Sequence, residues 1–164
     1  MHVRGRFGFA TGVHMKYLRY LLLILLFGFI VIQFFQPVRN QSGDVISPED
    51  VTMLYSMPNE VRTILKNSCY DCHSNTTRYP WYVKIQPVGW FMAGHIKHGK
   101  EELNFNEFGA YSAKRRRNKL KRMKEQVEED KMPLKSYTLM HADAKLSEHQ
   151  KSTLIKWIDS VAVK

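Results

Sequence analysis

Both cysteines of this 164-residue chain fall within one five-residue run, Cys69-Tyr70-Asp71-Cys72-His73, and no other feature constrains the fold so tightly. C-x-x-C-H is the attachment pattern of a c-type haem. Two thiols about one helical turn apart can each form a thioether to a haem vinyl group, and the adjacent imidazole is then carried under the iron. The expected cofactor is one covalent haem c, held by Cys69 and Cys72, with His73 as proximal iron ligand. Two other chemistries use the same residues. A structural zinc site wants four ligands, for which only Cys69, Cys72, His95 and His98 are at hand, and the gap from Cys72 to His95 exceeds most finger spacings. A disulfide or a thioredoxin-like dithiol would also use the pair, but no βαβ pattern surrounds it.

The second strong signal is the run from Leu18 to Phe35, apolar except for Arg19 and Gln33 near its ends. At 1.5 Å per helical residue it spans roughly 27 Å, close to a hydrocarbon core. Arg4, Arg6, Lys16 and Arg19 precede or open it, and no acidic residue occurs before Asp44. The positive-inside rule then leaves the N-terminus in the cytoplasm and sends the remainder across. Gln36-Pro37-Val38-Arg39 lacks the small-x-small pattern of a cleaved signal, so an uncleaved single-pass anchor is expected. The resulting plan is a cytoplasmic segment 1–16, an anchor 17–36, a polar linker 37–52 and a haem-binding domain 53–164 facing the periplasm. Met15-Lys16 also reads as an ordinary start, which would make residues 1–14 an upstream extension. Topology and motif agree, because covalent haem attachment belongs to the far side of a bacterial cytoplasmic membrane.

Of the 25 basic residues five precede Asn40, so the exported part carries 20 against 15 acidic residues. That moderate excess suits anionic headgroups or an acidic redox partner. Nucleic acid is not accessible there, which excludes it as an explanation of the pI near 9.7.

Past the linker, helical patterns dominate. Pro58 opens one in which Val61, Ile64, Leu65 and Ser68 share a face, and this helix delivers Cys69. Ser74 to Thr77 breaks it, and Arg78-Tyr79-Pro80-Trp81-Tyr82 reads as an ordered aromatic loop. A second helix is expected from Pro87 to a stop at Gly99. A third runs from Lys114 to Glu129 with Leu120, Met123 and Val127 buried, and its basic start and acidic end oppose the helix dipole. The last begins at Ser147, where Ser147 and Gln150 form a capping box, and buries Leu154, Ile155, Trp157, Ile158 and Val161. No alternating strand pattern occurs, so the fold class is all-α: a cytochrome c-like helical domain around covalent haem, behind one transmembrane helix.

A six-coordinate iron needs a second axial ligand. Met132 is the leading candidate, since Pro133 cannot continue the preceding helix and a Met-Pro pair in a loop presents a thioether well. Its rivals are His95, on the face of Phe91, and His141, in a loop, while His98 and His149 read as solvated. Methionine is more commonly a gap-filler. Tyr79, Trp81, Tyr82 and Trp90 are candidates to wall the haem edge, or ordinary core aromatics. Lys114 to Arg117 reads as a docking patch or, more commonly, a solvated face.

Taken together, these residues resemble the haem-binding domain family of small membrane-anchored bacterial cytochrome-like proteins typical of the Bacteroidota. The resemblance rests on Ser68-Cys69-Tyr70-Asp71-Cys72-His73-Ser74-Asn75, Thr77-Arg78-Tyr79-Pro80-Trp81-Tyr82 and Pro87-Val88-Gly89-Trp90. It continues through Leu103-Asn104-Phe105, Met132-Pro133-Leu134 and the stretch His141 to Ser147, covering residues 50–160. It implies a cytochrome c-like fold, with haem attached at Cys69 and Cys72 and iron bound by His73. The expected function is single-electron transfer, without substrate turnover, to a redox protein partner. The competing expectation is a peroxidase or a gas or redox sensor, whose sixth iron position is open and whose acid–base group would be His95 or His141.

Overall fold

The computed structural model describes residues 11–43 and 47–162, with side chains from His14 onward. Among the described residues eight α-helices follow one another: α1 (Thr11–Ile32), α2 (Val51–Leu54), α3 (Asn59–Ser68), α4 (Tyr70–His73), α5 (Val88–Glu102), α6 (Ala113–Glu128), α7 (Lys135–Met140) and α8 (Glu148–Ala162). Short 3₁₀ segments occupy Trp81–Lys84, Phe105–Ala110 and Ala142–Ala144. Among the described residues there is no strand, only one isolated bridge between Gln41 and Thr76. The fold is all-α, as the 3.6-residue periodicity requires. Arg4 and Arg6, on which the orientation argument draws, lie outside the described residues.

The chain divides into two compact units, residues 1–37 with 80–91, and residues 38–79 with 92–164. The first is built on α1. Its stretch His14–Ile32 is long and apolar enough to cross a membrane, and none of it is buried. Residues 80–91 hydrogen-bond to the C-terminal end of this helix, with Gln86 fully buried between them.

The second unit holds the core. Val61, Ile64 and Leu65 of α3, Leu120, Met123 and Val127 of α6, and Leu154, Trp157, Ile158 and Val161 of α8 form one cluster with Phe105 and Phe108. These are the stripes that the periodicity marks, and α8 packs on both α3 and α6. The capping box forms as expected: Ser147 N donates to Gln150 Oε1 at 2.9 Å, and Gln150 N to Ser147 Oγ at 3.2 Å.

The polar stretch after Arg39 is anchored at its start: Asn40 Nδ2 donates to Ser74 O and Thr77 Oγ1, and Lys100 Nζ donates to Asn40 Oδ1 at 2.7 Å. One expectation changes. Gly99 does not stop α5, which continues to Glu102. The basic start of α6 is offset locally, by Ser112 as N-cap, by Arg116 donating to Gly109 O and Tyr111 O, and by Arg115 over the Tyr111 ring at 4.4 Å. Its acidic end is tied down by Lys121–Glu125 and Lys124–Glu128 pairs along the helix and by Lys124 to Asp159 of α8 at 2.8 Å.

Candidate functional site

α3 delivers the cysteine–histidine motif as its own C-terminus. Cys69 leaves helical geometry (φ −128°), and one further turn forms as Cys72 N and His73 N both donate to Cys69 O, at 3.2 and 2.9 Å. His73 lies four residues beyond Cys69, so both reach the same cavity. Leu103, immediately after α5, fixes the imidazole: its carbonyl lies 2.9 Å from His73 Nδ1. A carbonyl only accepts, so Nδ1 carries the proton and Nε2 keeps its lone pair. Burial lowers the His73 pKa against the opposing pull of the Leu103 and Gly99 carbonyls, which favours the neutral ring that a metal ligand requires.

The motif's interior residue Asp71 is the anchor of the turn. Its carboxylate is buried and accepts from Tyr137 Oη at 2.6 Å, from Arg78 Nη2 and Nε at 3.1 Å and from Arg78 N at 3.1 Å. Thr77 Oγ1 donates to the Asp71 carbonyl at 2.6 Å. A second polar chain closes the following loop: Asn104 Nδ2 to Asn75 Oδ1, Asn75 N to Asn106 Oδ1, and Asn106 Nδ2 to Asp50 Oδ2, all at 2.7–2.8 Å. Tyr70 stacks on Phe105 with ring centroids 5.1 Å apart, and His73 meets the same ring edge-on at 6.2 Å.

Beside this turn lies a cavity of about 420 Å³, within the roughly 300–1,000 Å³ of small-molecule and cofactor sites. Cys69 and His73 line it from the α3–α4 turn, Leu103 and Phe105 from the end of α5, Met123 and Val127 from α6, and Met132 and Pro133 from the α6–α7 connection. Met132 is held there as Met132 N and Lys131 N both donate to Gln126 O, ending α6. The polar lining is concentrated on α5 and α6, where Lys119 and Arg122 share the single carboxylate of Glu102 at 3.7 and 3.5 Å. Glu125 also lines this edge, so its two cations and two carboxylates balance. An apolar slot with a histidine, a methionine and two cations at its rim fits a flat apolar macrocycle that bears iron and two carboxylates.

Other expected participants fall elsewhere. Cys72 is half-buried but does not line the cavity; the backbone of α5 approaches it so closely that a Cβ on Gly99 would sit 2.6 Å from Cys72 O. His95 and His141 are not among the lining residues, and His141 stacks on Tyr137 at 4.2 Å. His98 and His149 are exposed and face Glu101 and Glu60, as their solvated reading requires. None of Tyr79, Trp81, Tyr82 and Trp90 lines the cavity; Tyr79 instead accepts from Asn40 N through its hydroxyl. No local signal in the sequence marks the Asp71–Tyr137 bond, the approach of Gly99 to the Cys72 turn or the place of Met123 in the cavity, because the partners are distant in the chain.

The two thiols remain free. Burial, helped by Cys72, pushes Cys69 up to about 12, and burial with Asp71 pushes Cys72 up to about 11. Such thiols are protonated at neutral pH, unlike the low-pKa thiolates of redox pairs. Among the described residues no three His, Cys, Asp or Glu side chains converge as a metal cluster, so the zinc arrangement is not formed.

A helical domain with an apolar, histidine-lined slot beside a paired-cysteine turn defines a cofactor-binding module. The chain belongs to the haem-binding domain family, whose model matches residues 27–160. No curated protein and no solved structure matches it.

Proposed function

We propose that this haem-binding protein is a membrane-anchored monohaem c-type cytochrome that carries single electrons on the periplasmic side. The observation that carries the reading is the convergence of Cys69, His73 and Met132 on one cavity with apolar walls. Bound haem supplies the one-electron couple. His73, oriented by the Leu103 carbonyl, would hold the iron through Nε2, and Met132 would supply a thioether sulfur as a further ligand. Cys69, in the cavity wall, would hold the haem by a thioether, its thiol adding across a vinyl group. Cys72, three residues on and outside the lining, would supply the second thioether only if its turn moves against α5. Lys119 and Arg122 would supply cations for the haem carboxylates, and Leu103, Phe105 and Val127 would exclude water from the ring. The α1 helix serves as the anchor, and a docked redox protein as electron donor or acceptor.

Met123 is a second thioether in the same cavity, 8% exposed within the core. Met132, in a non-helical loop outside that core, is the ligand assigned here. The test uses protein produced with the cytochrome c maturation system. A low-spin ferric spectrum with the charge-transfer band of sulfur ligation should vanish in Met132→Ala and persist in Met123→Leu. A high-spin wild-type spectrum with rapid cyanide or peroxide binding would instead establish the peroxidase or sensor reading. Haem that is extracted by acidic organic solvent from the wild type, or retained covalently in Cys69→Ser/Cys72→Ser protein, would overturn the attachment.

A further inference from the structure

We propose that residues 80–91 form a collar that seats in the headgroup–acyl boundary of the bilayer at the end of α1. The inference rests on the reading of α1 as a membrane anchor and adds a second, non-helical membrane contact. The collar is clasped to the helix end by glutamine amides. Gln33 Nε2 donates to Gln86 O at 3.2 Å while Gln86 N donates to Gln33 Oε1 at 2.8 Å. Gln36 Nε2 donates to Lys84 O at 3.0 Å, and Gln86 Nε2 donates to Gln36 Oε1 at 2.9 Å. Trp90 completes the clasp, its Nε1 donating to Phe35 O at 2.8 Å and its backbone N to Gln86 Oε1 at 3.0 Å. Gln86 is fully buried, and a Cβ at Gly89 would sit 2.5 Å from Val83 O, so the centre of the clasp is close-packed.

The outer surface has the opposite character. Trp81 is 73% exposed, and Ile85, Val88 and Trp90 are exposed beside Phe34 and Phe35 of the helix exit. Of the three tryptophans in the chain, two are here and only Trp157 is in a core. So many exposed apolar and aromatic side chains in one short segment mark a surface that is normally covered. Its position names the cover: Phe35, whose carbonyl holds Trp90, lies three residues beyond the last residue of the apolar span. Indole rings, with an apolar body and one N–H donor, favour that boundary. Side chains of the clasp satisfy Gln86 N, Gln86 O, Lys84 O and Phe35 O, which lowers the cost of placing that backbone near hydrocarbon.

The experiment places the full-length, haem-loaded protein in phosphatidylethanolamine/phosphatidylglycerol nanodiscs with a trace of phospholipid carrying a diazirine near the glycerol. After illumination, peptide mass spectrometry should find lipid adducts in residues 81–91 as well as in 14–32. The Trp81→Ser/Ile85→Ser variant should lose the 81–91 adducts and keep both those in 14–32 and the haem spectrum. Adducts confined to 14–32 would overturn the collar while sustaining the anchor, whether residues 81–91 are then found cross-linked to a second copy, cross-linked to another protein or unlabelled. Absence of adducts from both segments would overturn the anchor and the collar together.

Discussion

Asp71 stands between the two cysteines and ties their turn to two distant partners, Arg78 and Tyr137. The Tyr137 bond runs to a buried carboxylate, so Tyr137→Phe should cost about 1.5–3 kcal/mol, read from urea unfolding of the holoprotein. Arg78→Lys should cost under about 1 kcal/mol, because the Arg78 side chain is 54% exposed and solvent screens the pair. A larger effect of Arg78 than of Tyr137 would contradict this ranking. The thiols give a pH prediction for cofactor-free protein. Their raised pKa values mean that unfolding releases protons above the ordinary thiol value of about 8.5. Their contribution to stability is therefore complete below that pH and falls as pH rises towards the folded values of about 11 and 12. Alkylation by iodoacetamide should track this, staying slow at pH 8 and climbing steadily without a plateau below pH about 11. The C-x-x-C-H spacing announces the cysteines and histidine. It is silent on Asp71, because Tyr137 lies 66 residues away and no local period links them.

At the scale of elements, α5 shows how a glycine misleads. A glycine near the end of a helical pattern ordinarily reads as a stop, yet α5 continues to Glu102 and uses Gly99 to lie against the Cys72 turn. Two effects of Gly99→Ala compete. Alanine gains roughly 1 kcal/mol of helix propensity over glycine, whereas forcing a methyl into a packed contact costs about 1–3 kcal/mol. With only 2.6 Å to Cys72 O, packing wins: the holoprotein should melt at lower temperature and carry less haem per chain. A rise in melting temperature would show that the contact is slack. α6 was legible in its apolar stripe and in the misfit of its charges with the dipole. The pairs that offset the misfit were not, since Asp159 and the Gly109 and Tyr111 carbonyls come from other segments.

For the whole molecule, Phe105 belongs both to the core cluster and to the cavity lining. Leu154, fully buried, belongs to the core alone. Leu154→Ala should cost about 2–5 kcal/mol and leave the haem spectrum unchanged. Phe105→Ala should cost about 3–5 kcal/mol and also disturb the spectrum, because the ring stacks on Tyr70 and touches the edge of His73. Chemical denaturation paired with absorption spectroscopy separates the two. Equal spectral change in both would mean that core and cofactor site are one inseparable unit.

The sequence alone determined α3, α6, α8 and all but the last residues of α5, because apolar periodicity is a local property that each segment carries with it, whereas α2 and α7 are too short to show one. It likewise determined the anchor-length span and the cysteine–histidine motif, which are contiguous in the chain. Only tertiary structure decided which candidates meet. Met132 joins His73 because α6 ends in a turn hydrogen-bonded to Gln126, while His95 and His141 sit away from the cavity. Only tertiary structure, too, moved Trp81 and Trp90 out of the haem wall and onto the end of α1. An aromatic side chain looks the same in a sequence whether it walls a pocket or faces a bilayer, and long-range packing alone makes the difference.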